Sequence, residues 1–258
     1  IGELNVTDTD VGEAAFQVET VSGTYGALAI DAAGSWTYTV DNAHADVQGL
    51  GEGDTLTDTV SVRSIDGTVQ DISVTINGTN DAPIVTGPVQ VTLSEDGSAF
   101  TLDLLSGASD VDGDALAVVN VSVETGNNDA GVTINDNGTL TIDRDTYTSL
   151  AEGDTETVTY TYDIEDGNGG TVSQTASFTI TGTNDLPTIS GSTSAAVTED
   201  VSVVDGNLVA SGQLSITDAD VGEAAFQVET VSGTYGALAI DASGAWTYTV
   251  DNALADVQ

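Results

Sequence analysis

Cysteine is absent from all 258 residues, which excludes disulfides, thiol catalysis and thiolate metal sites. Basic residues are almost as scarce: Arg63 and Arg144 stand against 42 acidic residues, for a net charge of -40. Such a chain repels nucleic acid and anionic membrane surfaces, and it suits multivalent cations or a salty medium. One histidine, His44, leaves no Ser-His-Asp or Cys-His set. No run of 18 apolar residues occurs, so no stretch reads as a membrane-spanning helix. Aromatics are only 5%, which speaks against an exposed aromatic patch in every unit. The apolar content of 39% still suffices for small cores, and the mean hydropathy of +0.03 argues against a disordered acidic tail.

What the chain does contain is repetition. Ile1 to Gln48 realigns on Ser211 to Gln258 with 40 of 48 positions identical, a period of 210 residues. Copies this close point to a long tandem array. An older repeat lies inside the period. Ile76-Asn77-Gly78-Thr79-Asn80-Asp81-Ala82-Pro83 returns as Ile180-Thr181-Gly182-Thr183-Asn184-Asp185-Leu186-Pro187. Leu50-Gly51-Glu52-Gly53-Asp54-Thr55 returns as Leu150-Ala151-Glu152-Gly153-Asp154-Thr155. Each Asn-Asp-x-Pro stretch follows an alternating run and carries Gly, Asx-turn residues and a stiffening Pro. These are joints between domains. The expected domains are residues 1–82, 83–186 and 187–258, built from units of roughly 100 residues.

Alternation of apolar and polar residues predicts strands throughout. In the first segment they are Gly2–Thr7, Phe16–Val21, Tyr25–Asp31 and Ser35–Val40, then a hairpin of Thr55–Ser64 with Val69–Asn77. One helical turn is expected at Ala43–Val47, and a short helical or irregular link at Asp143–Leu150. The middle segment reads as Val89–Leu93, Phe100–Leu104, Leu116–Val123, Val132–Ile134 and Thr139–Ile142, closed by a hairpin of Glu156–Ile164 with Val172–Thr181. In the last segment, Ala195–Thr198 and Asn207–Ala210, running on into Leu214, read as strands. The fold class is all-β: tandem antiparallel β-sandwich domains joined end to end. Trp36 and Trp246 alternate with polar neighbours and read as core anchors. His44 becomes Leu254 in the repeat, which disfavours a role as ligand or base.

The middle segment resembles the cadherin repeat. Asp110-Val111-Asp112-Gly113 resembles its Asp-x-Asp-x-Gly, Ile142-Asp143-Arg144-Asp145 its Leu-Asp-Arg-Glu, and Asp166-Gly167 its Asp-x-Gly turn. Thr183-Asn184-Asp185-Leu186-Pro187 resembles its linker, and Glu95 takes the place of its early-strand Glu. The first segment, from Thr7-Asp8-Thr9-Asp10-Val11-Gly12 through Trp36-Thr37-Tyr38 to Asn80-Asp81-Ala82-Pro83, is similar to VCBS repeats of giant bacterial surface proteins, including adhesins of the RTX class. Asp218-Ala219-Asp220 keeps the Asp-x-Asp motif in the second copy, while Val40-Asp41-Asn42 replaces the Asp-Arg-Glu.

This resemblance implies Ca²⁺ at the joints, a hard cation that takes six to eight oxygens. The implied ligands at the second joint are Glu95, Asp143, Asp145, Asn184, Asp185, Asp218 and Asp220. At the first they are Asp41, Asn80, Asp81, Asp110, Asp112 and Asp163 or Asp166. Roughly three ions per joint would contribute about +12. Most of the negative charge therefore remains, and Glu13, Asp31, Glu124 and Asp129 read as a solvated face. Arg144 is expected to balance nearby carboxylates.

The implied role is an extracellular, non-enzymatic stalk or filament segment of a bacterial surface protein, supporting adhesion or biofilm formation. The alternative is that each domain binds glycans or cells itself. Partners are adjoining repeats, with lateral or end-to-end self-association, and no nucleic acid or membrane insertion. Relative to Ser211–Gln258, the first copy is not preceded by a counterpart of Thr188–Ala210, and the second is not followed by one of Thr55–Asn77. The expectation is a window on a longer chain. Strands supplied between separate molecules are the alternative.

Overall fold

A computed structural model describes every residue but Val11, which lies inside the first Asp-x-Asp-Val-Gly stretch. The first segment holds β1 (Gly2–Glu3), β2 (Glu19–Ser22), β3 (Gly26–Ile30), β4 (Ser35–Val40), one helical turn α1 (Ala45–Gln48), β5 (Thr55–Arg63) and β6 (Val69–Asn77). Its sheet runs β1-β4-β3-β2, and β5 and β6 form a hairpin in full register from Thr55↔Asn77 to Arg63↔Val69. The inward residues of both layers meet: Phe16, Leu28, Ile30, Val60, Val62 and Ile72 are buried, with Trp36 and Tyr38 packed against them. Burying each such side chain contributes about 1.5–3 kcal/mol. The expected strand to Thr7 stops at Glu3. β1 pairs only with Ser35 and Trp36; beyond it Leu4 N–H donates to Gly34 O at 2.9 Å, in the turn before β4, and the ladder ends there.

The middle segment holds β7 (Ile84–Val85), β8 (Val89–Ser94), β9 (Phe100–Asp103), β10 (Ala108–Ser109), β11 (Ala117–Val123), β12 (Val132–Asn135), β13 (Thr139–Ile142), a 3-10 turn at Arg144–Tyr147, β14 (Thr155–Glu165) and β15 (Thr171–Thr181). One sheet runs β11-β14-β15-β8 and the facing one β12-β13-β9; β7 pairs with β10. Period-two burial places Val158, Tyr160, Tyr162 and Ile164 of β14 opposite Ala176, Phe178 and Ile180 of β15, all facing Leu102, Leu140 and Ile142. Two of the three buried tyrosines are hydrogen-bonded, while the Tyr160 hydroxyl has no partner among the described residues. Tyr162 donates to Leu104 O at 2.8 Å and Tyr147 to Ala130 O at 2.9 Å. Burial, helped by Asp103, pushes the Tyr162 phenol up to about 12.

One pairing departs from the antiparallel expectation. β8 runs parallel to β15, from Val89↔Ala176 to Ser94↔Thr181. In an end-to-end array the incoming and outgoing strands of a unit travel the same way. When they become neighbours they pair in parallel.

The last segment holds β16 (Thr188–Gly191), β17 (Asn207–Thr217), β18 (Glu229–Ser232), β19 (Gly236–Ile240) and β20 (Ala245–Asp251), in the order β16-β17-β20-β19-β18. Here β17 pairs with β20 over seven residues and with β16 over four more. The strand expected at Ala195–Thr198 is irregular and exposed, and β16 does the edge pairing instead. Leu208, Trp246 and Val250 are buried, and the Trp246 indole donates to Ser192 O at 2.9 Å. The chain is all-β throughout, with two facing layers in the first and middle segments and a single sheet in the last.

Candidate cation sites at the joints

Both joints are built the same way. Gly78 N–H and Gly182 N–H donate to Asp54 O and Asp154 O, each at 2.9 Å. At both glycines a side chain would collide with the carbonyls of the Glu-Gly-Asp turn, Leu50 and Gly51 in one case and Leu150 and Ala151 in the other. Past each proline the chain pairs antiparallel with a strand that leads into an Asp-x-Asp motif: β7 with β10, and β16 with the far end of β17. That pairing folds the motif back onto the linker. Asp81 N–H donates to Asp112 Oδ2 at 2.7 Å, and Asp185 N–H donates to Asp220 Oδ2 at 2.9 Å. In all three copies the motif is an Asx-turn. Asp10, Asp112 and Asp220 donate their N–H to Asp8, Asp110 and Asp218 Oδ1 at 2.8, 2.8 and 3.0 Å.

At the second joint, carboxylate oxygens of Glu95, Asp185 and Asp220 lie within 4.8 Å of one another. The parallel pairing of β8 with β15 explains Glu95: it follows β8 directly, beside the exit of β15 into the linker. Glu95 Oε1 accepts the Thr183 N–H at 2.6 Å and its hydroxyl at 3.2 Å. Arg144 clamps this loop, donating to the carbonyls of Ser94, Asp96 and Ser98 at 3.1, 2.9 and 2.8 Å. It bonds backbone rather than carboxylates, contrary to expectation, because the 3-10 turn lays it across the loop. Glu95 and Asp220 are 1% and 2% exposed, yet Glu95 Oε2 and Asp220 Oδ1 have no hydrogen-bond partner among the described residues. Buried charge of one sign without a partner is costly.

The first joint gathers Asp110, Asp112 and Asp114, again with oxygens within 4.8 Å. Asn80 Nδ2 donates to Asp166 Oδ2 at 2.9 Å, while Asn80 Oδ1, Asp110 Oδ2 and Asp112 Oδ1 are buried without partners. The Asn80 bond, seconded by the N–H groups of Asn168 and Gly170 against some burial, holds the Asp166 carboxyl below its usual range. Asp163 goes elsewhere, accepting from Ser173 at 2.7 Å and Asn120 at 3.0 Å.

The remaining expected ligands stand outside the two clusters. Asp41 accepts from Ala43 N–H at 3.0 Å and Asp143 from Asp145 N–H at 3.3 Å. Asp145 is exposed, and Asn184 donates to Asp185 O at 2.8 Å. Asp218 is engaged in its own Asx-turn. Sequence reasoning passed over Asp114, although it extends the every-second-residue spacing of Asp110 and Asp112; Asn168 donates to its Oδ2 at 2.8 Å. Glu13, read as solvated surface, groups with Asp8 and Asp10 at an exposed site.

Comparison with known families agrees with this architecture. Residues 79–181 match the family model of a cadherin-like domain, and residues 2–78 match that of a bacterial cadherin-like domain. Between them these two matches span residues 2–181, the first and middle segments. No curated protein sequence matches it. Among solved structures it is similar to a mouse cadherin-23 fragment, repeats EC22-24, at 17% identity and a TM-score of 0.46, covering 95% of this chain and 78% of that one. It is also similar to the human desmocollin-1 ectodomain at 15% identity and a TM-score of 0.42, covering 95% of this chain and 49% of that one. Among the described residues no helix is long and apolar enough to cross a membrane.

Proposed function

Taking a chain built of cadherin-like domains as the premise, we propose that it is a structural extender. It forms part of a stalk or filament in a large repetitive bacterial surface protein of the VCBS-bearing, RTX-adhesin kind, and Ca²⁺ stiffens its joints. Its domains are residues 1–82, 83–186 and 187–258. Cadherin-like domains are usually extracellular and generally bind Ca²⁺ at interdomain linkers, which supports both the location and the ion. Adhesion or biofilm formation then follows from projecting a distant tip.

The carrying observation is the set of buried carboxylate oxygens without partners at the second joint, Glu95 Oε2 and Asp220 Oδ1, beside Asp185. These donors are hard oxygens from one unit, the linker and the next unit, the type a Ca²⁺ ion takes. Asn80, Asp110, Asp112 and Asp114 offer the same chemistry at the first joint, with Asp166 anchoring Asn80. A bound divalent ion would neutralise the mutual repulsion and tie adjacent units together.

Chelation is the test. EGTA should lower the melting temperature and broaden the solution-scattering profile, and added Ca²⁺ should restore both. Glu95→Gln keeps the side chain's size but removes charge, and should weaken calorimetric Ca²⁺ binding by tenfold or more. If EGTA leaves melting and scattering unchanged and no Ca²⁺ binding heat appears, the joints are plain turns.

A further inference from the structure

The middle unit is entered and left at opposite ends of one strand. Ala82 lies against Gly170, the residue before β15: a Cβ on Gly170 would come within 2.7 Å of the Ala82 Cα. At its other end β15 runs out at Thr181 into the second joint. Pulling the two joints apart therefore applies tension along β15, whose eleven residues span about 35 Å.

The strand that takes up this tension is β8. From the first joint the chain passes through β7, held by two pairs with β10, and then the Gly87-Pro88 crossover. Gln174 of β15, 8% exposed, pins that crossover by donating to Gly87 O at 2.7 Å. β8 then runs parallel to β15 over six pairs, Val89↔Ala176 to Ser94↔Thr181. Glu95 N–H continues the ladder, donating to Thr181 O at 3.0 Å. Val89, Val91 and Leu93 pack inward on the core. Where the load leaves, the outgoing chain is fastened to the end of β8. Glu95 Oε1 accepts the Thr183 N–H at 2.6 Å, and Asp96 Oδ2 accepts its hydroxyl at 2.9 Å.

Parallel pairing fixes how the load acts on these bonds. β8 is drawn backward by its N-terminal end and β15 forward by its C-terminal end. The strands are sheared along their length, so the rungs share the load and yield together. Antiparallel terminal strands would have both loaded ends on the same side and would open rung by rung. We propose that the β8–β15 ladder is a mechanical clamp, which gives the middle unit a load-bearing function. The clamp rests on the stalk reading only for the source of the tension; the direction of the ladder needs no ion.

The lack of cysteine lets force be applied at chosen points. Two variants of the full chain share one attachment point. Ala82→Cys with Leu186→Cys loads the unit through β8. Ser98→Cys with Leu186→Cys begins beyond β8 and leaves it off the load path, with both points at the same end of the ladder. All three positions are exposed. Each variant is stretched between DNA handles at one pulling speed in EGTA, so that divalent cations play no part. The first should open in one step, releasing the length between its handles, at about threefold higher force or more than the second, because forced unfolding follows the unfolding barrier rather than equilibrium stability. Equal forces, or a first variant that opens in small successive steps, would overturn the clamp. Either result leaves the chelation test of the joints standing, and joints indifferent to EGTA would leave the clamp standing.

Discussion

Residues 1–48 and 211–258 are nearly the same sequence in two settings, and they do not bury the same atoms. Leu28 is fully buried under β5–β6, while Leu238 is half-exposed. The order reverses for tryptophan. Trp36 is half-buried, whereas Trp246 is 8% exposed and hydrogen-bonded to Ser192. Asp10 lies at the surface, and Asp220 is 2% exposed against the middle unit's linker. Local sequence set the strands in both copies, since β2, β3 and β4 return as β18, β19 and β20 in the same register from Leu28↔Tyr38 to Leu238↔Tyr248. What packs on the sheet set everything else. A half-buried leucine and a buried one are the same residue with different neighbours.

Core truncation separates the copies most. Leu28→Ala should destabilise the first unit by about 2–5 kcal/mol, the range for a fully buried leucine. Leu238→Ala, whose side chain is partly in water, should cost well under half as much. Urea unfolding of each variant measures the gap, and equal costs would show that the hairpin does not govern the difference.

Asp58 comes next. Burial pushes its carboxyl up, but the Tyr38 hydroxyl and the N–H groups of Tyr25, Thr24 and Thr59 outweigh this and hold it low. A depressed carboxylate contributes stability that is present above its ordinary value of 3.8 and lost as pH falls through the lower folded value. The first unit should therefore melt progressively earlier as pH drops below about 3.8. Asp58→Ala should cost about 1–3 kcal/mol at neutral pH by orphaning the donors, and it should flatten this acid dependence. An acid profile unchanged by the substitution would remove Asp58 from the account.

The smallest effect concerns His44, one of the eight differing positions. It caps α1, accepting from Asp46 N–H at 3.2 Å, and meets the edge of Tyr25 at 5.3 Å. His44→Leu should cost roughly 0.5–1 kcal/mol, the lower part of the range for losing a cap. Thermal melts of the single variant suffice to check it.

Much of the fold was legible in the sequence because strands and turns are local. The period of two is visible at Thr155–Glu165 and Thr171–Thr181, and the hairpins follow from the turns between them. The duplicated Gly-Thr-Asn-Asp stretches marked both joints. The parallel register of β8 was not legible, since nothing in Val89–Ser94 says which strand it will join. Nor was β16, whose four exposed residues carry no alternating apolar signal. Of the acidic residues expected at the joints, Asp110 and Asp112 came together at the first, and Glu95, Asp185 and Asp220 at the second, while Asp41, Asp163 and Asp218 accept from other groups. Carboxylate identity is written in the chain, but proximity across 90 or more residues is not.

By itself, the sequence determined the strand inventory, the repeat, the extreme negative charge and the turn chemistry of each Asp-x-Asp motif. Each of these depends on residues within a few positions of one another, where backbone sterics and short-range hydrogen bonds decide the outcome. Only the tertiary structure decided that Glu95, Asp185 and Asp220 converge, and that Arg144 holds a backbone loop rather than a carboxylate. Those outcomes depend on which surfaces pack together, and burial is a property of neighbours supplied by distant parts of the chain.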